Sequence, residues 1–230
     1  MKLRFASYNI HKAVGTDRRR DPERVVAVLR ELHADVIALQ EADRRVGARE
    51  AVLPRGLFDE SPWRVVPLAK RPQSMGWHGN ALLVRRDLDI AECHALDMPT
   101  IEPRGAACAV ISAGDRRVRV IGTHLDLSGL RRRDQVRSLL RFAAGHGDMP
   151  TVILGDFNQW GLGTGAMREF AGEWGQIAPG PSYPSRAPLA RLDRIVHCGG
   201  WRCESAAVHH SALAAVASDH LPILADLALA

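Results

Sequence analysis

The chain has 230 residues, a net charge of +5 and only 5% aromatic residues; that length supports a sizeable core, and no Pro/Gly/Ser-rich linker or visible repeat divides residues 1–230, so one domain is expected. Four cysteines, Cys93, Cys108, Cys198 and Cys203, form no Cys-x-x-Cys pair, which excludes zinc knuckles and dithiol redox motifs. No apolar run reaches the ~18 residues of a membrane span and residues 1–10 lack the apolar centre of a signal peptide, so a soluble, cytoplasmic protein with reduced thiols is expected, its mild positive charge compatible with phosphate-bearing partners.

Residues 3–10 set Leu3 and Phe5 against Lys2 and Arg4 and read as a strand, with Asn9 and His11 near its carboxyl end. Asp21 followed by Pro22 marks a helix start, and Val25, Val28, Leu29 and Leu32 fall at i, i+3, i+4 and i+7 on one apolar face. A near-continuous apolar strand over 35–39 ends in Gln40-Glu41. Strand, helix and strand in close succession predict a right-handed crossover that puts Asn9 and Glu41 at the same sheet edge. Residues 46–62 read as loop, 63–68 as a strand, and the Pro/Gly-containing stretch to Gly79 as loop. β-rich segments follow at 80–84, 106–112 and 118–122, with Ala113-Gly114-Asp115 turning an antiparallel hairpin that runs into Thr123-His124-Leu125-Asp126. Ser128 is the expected cap of a helix carrying Val136, Leu139, Leu140 and Ala143 on one face. Thr151-Val152-Ile153-Leu154 then reads as an interior strand that breaks at Gly155-Asp156-Phe157-Asn158. A short helix over 167–174, an extended piece at 182–185, a strand at 192–197 holding Asp193, a loop with Ser218-Asp219-His220 and a last strand over 222–229 complete an α/β pattern of mixed sheets.

The polar residues at the strand ends carry the chemistry: Asn9, Glu41, His124, Asp156, Asn158, Asp193, Asp219 and His220. Each has a bland reading, since Asp and Asn close strands as turn formers and a lone histidine is commonly structural. Taken together, oxygen donors without cysteine suit Mg²⁺, with Mn²⁺ as the alternative, better than zinc. Two histidines beside acidic groups supply the proton acceptor and donor that attack of water on a phosphoester requires, and Asp193 could orient His220.

Asn9, Leu39-Gln40-Glu41, Thr123-His124-Leu125, Gly155-Asp156-Phe157-Asn158, Leu192-Asp193-Arg194-Ile195 and Ser218-Asp219-His220-Leu221-Pro222, in this order across almost the whole chain, resemble the endonuclease/exonuclease/phosphatase superfamily, the DNase I-like fold. The resemblance implies a four-layer α/β sandwich, two mixed sheets flanked by helices, with the site in a cleft at one edge. It implies Glu41 as principal metal ligand aided by Asn9 and Asp219, and Asp156 and Asn158 as residues that orient the water and bind the scissile phosphate. His220 is implied as base or phosphate-polarising residue with Asp193 as its partner, and His124 as a phosphate ligand or helper of the leaving oxygen. His78-Gly79-Asn80-Ala81 and Glu102-Pro103-Arg104-Gly105 resemble segments of bacterial members, adding Asn80, Arg104 and His78 as lesser candidates for binding phosphate.

A Mg²⁺-dependent phosphodiesterase acting on nucleic acid or phospholipid-type diesters is the expected function, with a phosphomonoesterase of a small molecule or lipid headgroup as alternative and a silent binding module as the alternative of another class. The sparse aromatic residues and the lack of a long insertion argue against duplex-DNA repair. Arg104, Arg131, Arg132 and Arg137 are candidate contacts for a polyanion or an anionic membrane surface. A monomer is the favoured state.

Overall fold

The computed structural model describes residues 1–100 and 104–229, so Glu102 and Pro103 of the Glu102-Pro103-Arg104-Gly105 string lie outside the described residues. In chain order its elements are β1 (Lys2–Asn9), α1 (Pro22–Leu32), β2 (Val36–Gln40), β3 (Trp63–Val65), β4 (Ala81–Arg85), β5 (Asp89–Asp97), β6 (Gly105–Ala113) and β7 (Arg116–His124). Then follow α2 (Gly129–Gly145), β8 (Thr151–Asp156), β9 (Gly175–Ile177), β10 (Asp193–Cys198), β11 (Trp201–Val208), α3 (Ala214–Ala217) and β12 (Ile223–Leu229).

The strands form two six-stranded sheets, ordered β11-β12-β1-β2-β4-β3 and β5-β6-β7-β8-β10-β9. Each sheet has one parallel pair at its centre, β1 with β2 and β7 with β8, and antiparallel neighbours on both sides. A parallel pair needs a crossover, and α1 and α2 supply the two. The same topology therefore occurs twice, although no repeat is visible in the sequence.

Strand alternation explains the layering. In β2, Ile37 and Leu39 pack with Val25, Val28, Leu29 and Leu32 of α1, whereas Val36 and Ala38 face the second sheet among Ala107, Ala109, Val120 and Leu154. Both faces are covered, so the strand reads as a continuous apolar run. On the far side Ile121 and Ile153 pack with Val136 and Leu139 of α2, completing a four-layer helix, sheet, sheet, helix sandwich. The sheets approach closely at Gly122, where a Cβ would lie 3.0 Å from Leu82 Cδ2 and 3.1 Å from Ala38 Cβ.

α1 begins as read, with Pro22 in its first turn and Asp21 Oδ1 accepting the Arg24 backbone N–H at 2.9 Å. Other expectations need correction. Ser128 occupies the cap position of α2 but its hydroxyl caps nothing; Asp126 Oδ1 instead accepts the Ser128 N–H at 2.9 Å. The helix expected over 167–174 is a short 3-10 turn, Gly165–Glu169, which ends where Phe170 leaves helical geometry (φ −83°, ψ 76°), and Gly172, with a φ of 71°, does not resume a helix. The strand expected over 63–68 stops at Val65, although Val66 still donates to Leu82 O at 2.9 Å. β5, β9 and β11 were not readable from the sequence; all three are edge strands, β5 fully buries none of its residues and β11 is largely exposed.

Candidate active site

The site is assembled by register. β1 ends at Asn9 opposite Gln40, so Glu41 follows at the same edge of the first sheet. In the second sheet His124 is the last residue of β7 and pairs with Asp156, the last of β8, which pairs in turn with Asp193, the first of β10. The loop before β12 brings Ser218, Asp219 and His220 to the same end. Two backbone features hold this edge. Gly155 lies so close to β7 that a Cβ would sit 1.8 Å from Thr123 O, and Glu41 (φ 57°) and Asn158 (φ 49°) occupy left-handed backbone, a cost that side-chain-bearing residues seldom meet outside functional turns.

Asp156 is the hub. Its Oδ1 accepts the Asn158 N–H at 2.9 Å, and its Oδ2 accepts Asn9 Nδ2 at 3.1 Å and lies 3.4 Å from His124 Nε2 and 3.7 Å from His220 Nε2. Its side chain is 2% exposed. His220 Nδ1 meets Asp193 Oδ2 at 2.9 Å, and the same oxygen accepts the Ser182 hydroxyl at 2.5 Å. The ring of Tyr183 packs on the His220 imidazole at 4.9 Å between centroids. Asn158 Nδ2 donates to Leu125 O at 2.9 Å, which fixes its side chain.

The two histidines are driven apart electrostatically. Burial opposes charge on both, but His220 sits between the Asp193 and Asp156 carboxylates, which overcome burial and raise it to about 10. His124 is depressed to about 3 by burial, with Asp156 too weak a counterweight and Arg104 and His220 adding repulsion. At neutral pH the site therefore holds one imidazolium and one neutral imidazole.

Glu41 and Asp219 offer partly exposed carboxylates at the same edge, and Asn9 Oδ1 accepts the His11 N–H at 3.1 Å with a second lone pair left. This all-oxygen donor set fits a hard divalent cation, and Glu41 already faces a cation, the Lys12 ammonium, which pairs with its Oε2. Asp156, Asp193 and His220 also place ligand atoms within 4.8 Å of one another, a second arrangement that could bind a metal. There the His220 nitrogen facing Asp193 and one Asp193 oxygen are already engaged, so that trio is better suited to holding a proton.

The profile of the Endonuclease/Exonuclease/phosphatase family matches residues 6–220, a span that includes every one of these residues. The chain belongs to that family. Solved structures agree on the fold of this family member: an endonuclease/exonuclease/phosphatase from Bacteroides vulgatus has 17% identity and a TM-score of 0.77, with 100% of each chain covered. D. rerio TDP2 complexed with single strand DNA product has 14% identity and a TM-score of 0.77 over 99% of each chain. A Bacteroides thetaiotaomicron mannosyl-6-phosphatase has 17% identity and a TM-score of 0.75, covering 99% of this chain and 100% of that one. No curated protein matches the sequence.

Of the lesser candidates in this family member, His78 and Arg104 line a concave pocket together with Glu41 and His124. Asn80 is fully buried; its Nδ2 donates to Gly105 O at 2.9 Å and reaches Trp77 O at 3.4 Å, tying β4 to β6, while its Oδ1 has no hydrogen-bond partner among the described residues. The arginines of α2 are differently engaged from what the sequence suggests. Arg137 is bonded to Glu169 at 2.9 and 3.1 Å, and Arg132 donates to Asp126 O at 3.1 Å and to Gln159 Oε1 at 3.3 Å. Sequence reasoning missed Lys12, Ser182, Tyr183, Arg45 and Arg49. Lys12 stands three residues beyond Asn9 and could have been found from that proximity; the others carry no local signal.

Proposed function

We propose that this chain is a divalent-metal-dependent phosphoesterase, with Mg²⁺ the first choice and Mn²⁺ the second, that hydrolyses phosphodiesters by attack of water. The carrying observation is the buried Asp156 carboxylate flanked by Asn9, His124 and His220, with Asp193 behind the His220 ring. Asn9, Glu41 and Asp219 would hold the cation, which when bound supplies positive charge to a phosphate oxygen. Asp156 accepts the proton of the attacking water, with Asn158 fixing its orientation through the backbone N–H. His220 donates to the phosphate as an imidazolium, and Asp193 keeps it charged and oriented. His124 contributes a neutral N–H to the phosphate or leaving oxygen.

A phosphomonoesterase of a phosphorylated small molecule is the second reading, favoured by the likeness to the mannosyl-6-phosphatase. Turnover of bis(p-nitrophenyl) phosphate and of p-nitrophenyl phosphate, with Mg²⁺, Mn²⁺ or a chelator, separates the readings. Faster hydrolysis of the diester, abolished by the chelator, is expected. Faster hydrolysis of the monoester selects the second reading, and turnover of neither makes the protein a binding module. Glu41→Gln should remove activity through loss of the cation, because it deletes a negative charge from a site for a strongly hydrated dication; unchanged Mg²⁺ affinity by calorimetry would show that Glu41 is not a ligand.

A further inference from the structure

Six large apolar side chains are exposed among the described residues, and all six stand at the catalytic end of the strands. Val46 follows Glu41 after β2, Leu127 and Leu130 follow His124 after β7, Trp160 and Leu162 follow Asp156 after β8, and Leu189 precedes Asp193. Scattered exposed leucines are ordinary on a soluble protein; a set confined to one end, around one cleft, marks a surface that meets something.

Four of the six sit on two loops that are clamped together. Arg132 donates to Asp126 O at 3.1 Å and to Leu127 O at 2.5 Å, and its Nε reaches Gln159 Oε1 at 3.3 Å, so one side chain joins the Leu127 loop to the Trp160 loop. Arg194, buried beneath the second loop, donates to Gln159 O at 2.6 Å and to Gly161 O at 3.1 Å, the carbonyls on either side of Trp160. The backbone is therefore held at both flanks while the Trp160 side of the loop stays 68% exposed. That exposure is built into the loop rather than left by slack chain.

The free charges around these side chains have one sign. Arg131, next to Leu130, and Arg168, just beyond the Trp160 loop, make no hydrogen bond or ion pair among the described residues. Across 125–133 and 157–168 the one carboxylate is that of Asp126, which is buried and accepts the Ser128 N–H at 2.9 Å. Glu169, the next residue, is taken up by Arg133 and Arg137. Leucines, a tryptophan and free guanidinium groups without an exposed carboxylate are complementary to an anionic lipid surface. The apolar groups enter the acyl boundary, tryptophan rests at headgroup level and arginines meet the phosphates. A nucleic-acid strand fits less well, because bases stack on aromatic rings and three of these four apolar side chains are leucines.

We propose that Leu127, Leu130, Trp160 and Leu162, with Arg131 and Arg168, dock this protein on an anionic lipid bilayer, with the active-site cleft beside the headgroups. The docking stands on the surface alone. Its consequence for substrate, that the ester cleaved is a phosphodiester of a membrane lipid, rests on the phosphoesterase reading.

Co-sedimentation with vesicles tests the docking. Vesicles of phosphatidylcholine and phosphatidylglycerol in equal parts should bind the protein and shift its tryptophan emission to shorter wavelength, and vesicles of phosphatidylcholine alone should bind it about tenfold or more less tightly. Trp160→Ser with Leu130→Ser, and separately Arg131→Glu with Arg168→Glu, should each weaken binding to the mixed vesicles about tenfold or more. In the Trp160 and Leu130 variant, hydrolysis of phosphatidylglycerol in the vesicles should fall with binding while turnover of bis(p-nitrophenyl) phosphate is unchanged. No binding to the mixed vesicles, equal binding to both kinds, or binding that survives either pair of substitutions overturns the docking surface. So does a single-stranded oligonucleotide bound more tightly than the vesicles and released by Trp160→Ser, or a dimer in solution that the Trp160 and Leu130 variant dissociates. Turnover of the small diester without turnover of the lipid overturns the substrate assignment. Vesicle binding that the substitutions remove, with no ester turned over, supports the docking and overturns the phosphoesterase reading.

Discussion

His220 is the residue whose environment most constrains its chemistry. It is buried, its Nδ1 is 2.9 Å from Asp193, and Asp193 is itself anchored by the Ser182 hydroxyl. His220→Ala is expected to lower kcat by roughly 10²-fold or more, the range for a positioned acid or base, with little loss of stability. Asp193→Asn should produce a smaller loss and add almost nothing in the double variant, because Asp193 acts through the imidazole. Independent, multiplying losses would break the pairing. Asn9, Glu41, Asp156 and Asp193 were legible in the sequence because each interrupts or ends an apolar run at a strand end. Ser182 and Arg49 were not, since their meaning depends on which distant residue the fold places beside them. The cysteines allow a simpler check at this scale. Cys108 is fully buried, and burial pushes its thiol up to about 12, so it should resist a thiol reagent at pH 8 until denaturant is added, whereas exposed Cys203 should react in the native protein. Native labelling of Cys108 would contradict the packing at β6.

At the scale of elements, the crossover units were readable because β2 and β8 are buried along their length and read as near-continuous apolar runs, while β1 sets Leu3 and Phe5 against Lys2 and Arg4. β11 was not, because only one side of that edge strand is paired and Arg202, Glu204 and Ser205 sit among exposed neighbours, with a bulge between Cys203 and Ser205 disturbing the alternation. β5 has the same difficulty, with a register shift between Ile90 and Glu92. One buried cation secures an element that the sequence described only as an apolar face. Arg119, 2% exposed on β7, donates to Ala143 O at 2.9 Å, which also accepts the His146 N–H at 3.4 Å, and reaches His146 O and Gly147 O just past the end of α2. Arg119→Ala should cost about 2–3 kcal/mol, the scale of charged hydrogen bonds lost inside a protein. Urea denaturation should show it as a lowered midpoint with an unchanged slope; a midpoint equal to that of the wild type would mean that water satisfies those carbonyls equally well.

For the whole molecule, the decisive fact is that each sheet owns part of the site. Asn9, Glu41 and His220 belong to the first, and His124, Asp156 and Asp193 to the second, so the Asn9 to Asp156 and His220 to Asp193 contacts span the seam. Their geometry depends on the spacing of the sheets, which Gly122 keeps small. Gly122→Val should cost roughly 1–3 kcal/mol by overpacking and depress kcat although it touches no site residue. A destabilised variant with undiminished kcat would show that the spacing does not control the site. The order of the strands in the first sheet has a further consequence, for the history of each molecule. β1 lies between β2 and β12, and the Met1 amino group bonds to Leu229 O across 228 positions of sequence. During synthesis β1 must wait for the segment bearing His220 and β12 before its second neighbour exists. A nascent chain stalled before that segment emerges lacks His220 of the candidate site, however well its earlier strands have paired, so under the proposed function hydrolysis is expected to begin only when that late segment docks.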